Sequence, residues 1–256
     1  MTAPDTGDPF GLAGTPLEKW QASEHLQHVA PISLDELVPA GTRLVVAAPH
    51  PDDEVLACGG LLAAMASRHD EVTLLSVTDG DGSHPGSSVW PPARLRHERH
   101  LESTRALTRL GFDTRVLDWH PLGLPDGQVA TFEDELLGQL CRHLGRGDRL
   151  LSTWRYDGHC DHEALGKVAA EAARISGAVL LEAPVWAWHW AEPQDPRLPW
   201  ARARKFMLSE QAQGRKRQAI AEHVTQLLPD ASTRAAPVLN EQTLARLLQP
   251  FELVFV

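Results

Sequence analysis

The chain has 256 residues, with 24 Lys plus Arg against 34 Asp plus Glu and a formal net charge of -10. That length suits one large α/β unit, and a hydrophobic content of 43% with 23% charged residues excludes a disordered or fibrous chain. The acidic excess gives no basis for binding nucleic acid or an anionic membrane surface, and favours a neutral or cationic small molecule.

Residues 1–40 are rich in Pro, Gly, Asp and Thr, and read as an N-terminal extension with one short helix near Leu17 to His28. The start of the chain has neither a basic segment nor an apolar core of the secretory kind. No apolar run approaches the roughly 20 residues that cross a bilayer. Cys58, Cys141 and Cys160 form no CxxC pair and no disulfide framework. A cytoplasmic protein is expected; homo-oligomerisation stays open.

Residues 41–256 read as a single domain. Leu44 to Ala48 is a short continuous apolar run, as in a strand covered on both faces. Val55 to Arg68 follows as a helix, with acids before it and Arg68 and His69 at its end, in the order the helix dipole favours. Gly59 and Gly60 weaken that helix, and a close helix–strand contact would explain them. Val72 to Val77 is a second buried strand. Thr78 to Pro92 is a Gly-, Ser- and Pro-rich loop, and Ala93 to Leu110 is a helix closed by Gly111. Arg115 to Asp118 reads as a strand, Phe132 to Leu144 as a helix, Leu150 to Thr153 as a strand and His162 to Ile175 as a helix. Ala178 to Ala183 reads as a strand, Arg202 to Leu228 as one long polar helix and Glu252 to Val256 as a last strand.

Strands alternating with helices predict a mostly parallel sheet with helices on both faces. In such folds the working residues lie in loops at the carboxyl ends of strands. The two most unusual strings fall there. Pro49-His50-Pro51-Asp52-Asp53-Glu54 follows the first strand, and Asp157-Gly158-His159-Cys160-Asp161-His162 follows the fourth. A histidine and two carboxylates within four positions are costly to bury unless a metal ion compensates them. Two imidazoles and one carboxylate suit zinc with its fourth position open to water. A carboxylate is then left to take the water's proton, and a histidine to protonate a leaving amine. Taken singly, each string has an alternative: Asp52 and Asp53 as helix caps, and His159 and His162 as ordinary loop and helix residues. Both strings following parallel strands favours a site.

The strings resemble the LmbE/PIG-L family of zinc-dependent N-deacetylases, which act mainly on N-acetylglucosaminyl groups. Pro49 to Gly60 matches the family's first motif. Trp154 to His162 resembles its second, where the family usually has Pro at the position of Cys160. Arg99, Glu102, Leu110 and Gly111 match an Arg-x-x-Glu helix ending in Leu-Gly. Leu122 to Gly127 resembles another segment, and Lys216, Ala219, His223 and Gln226 resemble a late helix. The resemblance implies a Rossmann-like fold and one zinc ion held by His50, Asp53 and His162. It further implies Asp52 as general base, His159 as acid or oxyanion stabiliser, and Asp161 as the carboxylate that holds an imidazole. Arg99 and Asp126 would hold sugar hydroxyls. The expected reaction removes an N-acetyl or other N-acyl group from an amino sugar or glycoside.

Two other readings use the same residues. Fe2+ accepts a two-histidine, one-carboxylate set in oxygenases, although a free neighbouring carboxylate such as Asp52 suits hydrolysis better. A non-catalytic sugar-binding protein could also keep the fold. Cys160 is either a fourth ligand, which would close the site, or a small loop residue pointing elsewhere; the second is expected. Trp186, Trp188 and Trp190 alternate, so an extended chain would put them on one face to stack on a sugar or pack the core.

Overall fold

The computed structural model describes residues 14–256. One sheet contains eight strands: β1 (Pro31–Ile32), β2 (Leu44–Ala48), β3 (Val72–Thr78), β4 (Asp118–Leu124), β5 (Arg149–Thr153), β6 (Val179–Ala183), β7 (Ala203–Met207) and β8 (Phe251–Phe255). Their spatial order is β1-β7-β8-β6-β5-β2-β3-β4. Neighbours run parallel except where β8 meets β6 and β7. The α/β class with a mostly parallel sheet is therefore as expected.

The helices are α1 (Leu17–Gln21), α2 (Glu24–His28), α3 (Leu34–Leu37), α4 (Asp53–Met65), α5 (Pro92–Leu110), α6 (Glu133–His143), α7 (Cys160–Ser176), α8 (Ala187–Trp190), α9 (Glu210–Ile220), α10 (Val224–Leu227) and α11 (Glu241–Leu247). On β2, Leu44 and Val46 face the larger core with α4 and α5, while Val45 and Ala47 face the smaller one with α6 and α7. That alternation is why the β2 run is apolar throughout. From β2 the chain builds outward through β3 and β4, then returns to lay β5 on the other side of β2. The sheet's order reverses between β2 and β5, and loops leaving such a point diverge to open a crevice. Both unusual strings leave these two strands.

Four expectations are corrected. Residues 14–40 are not a trailing arm: Trp20 is 1% exposed, Leu37 is equally buried, and β1 pairs with β7. The remainder of the expected extension, residues 1–13, lies outside the described residues. The strand expected at Arg115 to Asp118 begins only at Asp118. The polar helix expected over Arg202 to Leu228 is broken into β7, α9 and α10. Its first part is recruited by backbone pairing with β8, from Ala203↔Phe255 to Met207↔Phe251, and Ser209 caps a fresh helix. Finally, the space that Gly59 and Gly60 leave is filled by side chains from α9 and from the residue after β7, although Gly60 N also meets Glu252 of β8. A Cβ on Gly59 would stand 3.2 Å from Lys216 Cγ on α9, and one on Gly60 would strike the Leu208 side chain.

Helix α4 also departs from helical geometry at Cys58 (φ -143, ψ 26). A break there frees the amides of Gly60 and Leu61 and the carbonyl of Leu56. All three are recaptured: Glu252 accepts from Gly60 N at 2.7 Å and Leu61 N at 2.8 Å, while Lys216 Nζ donates to Leu56 O at 2.9 Å. Lys216 and Glu252 also pair with each other at 2.7 Å, both buried. The ion pair acts as a splint for the helix that begins at Asp53.

Candidate metal centre

His50 and Asp53 meet through the tight turn after β2. Asp53 Oδ2 accepts from His50 N at 3.1 Å and lies 3.0 Å from His50 Nδ1. The same oxygen is 3.1 Å from Nε2 of His162, which arrives on the first turn of α7. Nε2 of His162 is fully buried and makes no hydrogen bond despite that approach. An unpaired imidazole nitrogen beside a carboxylate oxygen and a second imidazole is costly in a dry interior, and suits a cation held by all three. The ring nitrogens of His50, His159 and His162 lie within 4.8 Å of one another, so the two strings do converge.

The ionisation of these groups follows from their neighbours. Burial acts to raise the Asp53 carboxyl, but His162 and His50 outweigh it and hold the group ionised. Burial acts to lower His162, but the Asp53 charge and the hydrogen bond with Asp157 push it up to about 9. Asp52 is pushed up to about 7, chiefly by burial and by Asp53, with Arg99 opposing. Burial and the two neighbouring histidines lower His159 to about 3, so its ring is neutral at pH 7.

Asp52 adopts φ 140, a rare conformation for a residue with a side chain. Its surroundings over-determine it. Its N–H donates to Glu54 at 3.1 Å, and Arg99 Nη2 stands 3.2 Å from its carboxylate. Arg99 also donates to Gly80 O and to Pro51 O, at 2.8 and 2.7 Å. Expected as a sugar-hydroxyl ligand, Arg99 is 2% exposed and spends these donors holding Asp52. Only its Nε is left unpartnered.

Asp161 and Asp126 both address the far nitrogen of His50, at 3.1 and 3.2 Å from Nε2. Asp161 is in turn held by Gly127 N and Val129 N, and Asp126 by Gly82 N. His159 caps α7: its Nδ1 accepts from Asp161 N at 3.2 Å. A ring that accepts at Nδ1 carries its proton on Nε2. Cys160 is exposed, and its thiol lies 3.8 Å from Asp161 Oδ1.

The tryptophans do not share an extended face. Trp186 precedes α8 and Trp188 and Trp190 lie on that single turn. Trp188 is 6% exposed and packs edge-on against Trp20 at 4.8 Å. It belongs to the core, whereas Trp186 is half-buried.

Two side chains without an expected role join the site. Asp157, with 0% exposure, lies 2.8 Å from His162 Nδ1. His223 is also fully buried, with both ring nitrogens unpartnered, and feels the charges of Arg99 and Asp53. The late Lys-Ala-His-Gln pattern was the available signal for His223. Asp157 had only its place at the head of the second string.

The family model described as PIG-L, GlcNAc-PI de-N-acetylase, matches residues 44–173. The chain is 32% identical over 166 residues to the 2'-N-acetylparomamine deacetylase of Streptomyces fradiae, a match covering 64% of this chain and 51% of that protein. It thus spans about half the length of that curated relative. Among solved structures it resembles the A40926 pseudoaglycone deacetylase Dbv21, with 23% identity, 84% and 96% coverage of the two chains and a TM-score of 0.58. It also resembles the zinc-inhibited form of teicoplanin deacetylase Orf2, with 19% identity, 84% and 97% coverage and a TM-score of 0.57. These two likenesses show a shared fold.

Proposed function

The chain belongs to the PIG-L family of de-N-acetylases, and from that membership we propose that it is a zinc-dependent hydrolase removing an acetyl group from the nitrogen of an amino sugar or amino-sugar glycoside. The observation that carries the reading is the convergence of His50 Nδ1, Asp53 Oδ2 and the unpaired His162 Nε2, with the carboxylate of Asp52 beside them. These three residues would hold the ion. When bound, zinc supplies Lewis acidity and lowers the pKa of a coordinated water to about 7.

Asp52 takes the proton of the attacking water and returns it to the amine nitrogen as the C–N bond breaks; a carboxylate near pH 7 is well matched to both tasks. Arg99 keeps it aimed by fixing both the side chain and the strained backbone turn. His159, neutral and carrying its proton on Nε2, donates a hydrogen bond to the oxygen that gains charge as the amide carbon turns tetrahedral. Of its two expected roles, oxyanion stabilisation fits the helix-capping geometry better. Asp161 and Asp126 orient His50. Trp186 would meet the sugar or its aglycone.

The relative from Streptomyces fradiae points to an aminoglycoside-like substrate, and the acidic chain suits a cationic one. The test is an acetate-release screen over N-acetylated aminoglycosides and N-acetylglucosamine derivatives with added zinc. Turnover that requires metal is expected. A metal-loaded protein that releases no acetate from any of them would overturn the reading. Bound iron with oxygen consumption would favour the oxygenase alternative.

A further inference from the structure

The carboxylate of Asp157 has an unusually complete set of partners. Oδ1 accepts from Val185 N and Ala187 N, both at 2.9 Å. Oδ2 accepts from Trp186 N at 2.9 Å and faces His162 Nδ1 at 2.8 Å. Two carboxylate oxygens offer about four lone-pair sites. All are taken by groups that can only donate, save His162, which can do either. No oxygen is left to carry a proton, so the fourth partner must donate as well. A neutral His162 ring is thereby obliged to hold its one proton on Nδ1 and to turn a bare Nε2 toward Asp53.

We propose that Asp157 is the positioning residue of the metal centre: it fixes the His162 ring in the one tautomer that can ligate, and anchors it to the backbone of the turn carrying Trp186. The assignment rests on the metal reading above. It matters because His162 Nδ1 has no other hydrogen-bond partner among the described residues, whereas Asp161 and Asp126 can both serve His50. Metal-ligating histidines lose affinity by about 10–100-fold when such a partner is removed.

Asp157→Asn discriminates this role from simple packing. The amide keeps the shape but has one oxygen. Placing that oxygen at the Oδ1 position keeps two backbone bonds, and puts the NH2 where Oδ2 faced His162. The NH2 then donates to Nδ1 and drives the proton to Nε2, the atom needed for the metal. The expected result is a folded protein whose zinc affinity, read by competition with a chromophoric chelator, falls about 10–100-fold. Trp190→Phe is the control: it removes the 2.7 Å bond from Trp190 Nε1 to Asp157 O in the same loop. That variant should keep its affinity. Unchanged affinity in Asp157→Asn, or an equal loss in Trp190→Phe, would overturn the proposal. Should Asp157→Asn not fold, nitrogen-15 spectra of the metal-free wild type, followed upward in pH until the His162 ring has lost its second proton, decide the matter. An Nδ1–H tautomer at His162 is expected, and an Nε2–H tautomer refutes the assignment. That spectrum stands whether or not the protein binds zinc, so failure of the metal reading is recognised separately, by wild type that takes up no metal.

Discussion

Replacing Lys216 by Met tests whether the buried ion pair holds the broken helix α4 together. In the native chain, Lys216 and Glu252 are 1% and 2% exposed at their side chains and lie 2.7 Å apart. Met fills a similar volume but removes the charge and the donor to Leu56 O. Glu252 then keeps its two amide donors but remains a buried carboxylate with no counter-charge. Breaking a buried pair from one side costs about 3–5 kcal/mol. For a chain near this size, each kcal/mol lowers Tm by about 2–4 °C, so a fall of about 6–20 °C is expected by calorimetry. The double variant Lys216→Met with Glu252→Gln should recover part of that loss. The amide carries no charge and still accepts one of the two N–H groups; the other, left unsatisfied, costs about 1–3 kcal/mol. Zinc affinity should weaken in the single variant too, because α4 begins at Asp53. A Tm loss below about 2 °C, or a double variant less stable than the single one, would refute the splint.

Asp52→Asn keeps the hydrogen-bonding shape beside Arg99 but removes the base, so kcat should fall by about 10²–10⁴ while metal content, read by elemental analysis, stays unchanged. Trp188→Ala should cost about 3–5 kcal/mol in denaturant unfolding, because it empties the core beside Trp20; Trp186→Ala should raise KM. Cys160 opens helix α7 and is exposed, and proline suits the first position of a helix. Cys160→Pro is therefore expected to leave zinc stoichiometry intact and to stabilise by about 0.4–1 kcal/mol. Loss of metal in that variant would show that the thiol is a ligand.

Much of the site was legible in the chain because its parts are local. His50 with Asp53, and His159 with His162, are three residues apart and share single turns, so short strings expose them. The apolar runs of β2, β3 and β5 are local as well, and alternation with helices suffices to place both strings at one edge of a parallel sheet. Everything that depends on distant chain was hidden. β7 looks like polar helix until β8, more than forty residues later, claims its backbone. Trp188 looks available to a sugar until Trp20, from the expected arm, covers it. Arg99 looks like a substrate ligand, yet its donors are consumed by Gly80, Pro51 and Asp52. Asp157 heads the second string but shows no role there, because its importance lies in three amides that follow another strand. Sequence alone determined the class of fold and the two strings that carry the candidate donors, since both follow from spacing and periodicity. Only the tertiary structure decided which nitrogen faces inward, which carboxylate holds which ring and which aromatic is buried, because hydrogen bonds and burial belong to pairs of residues that chain order does not reveal.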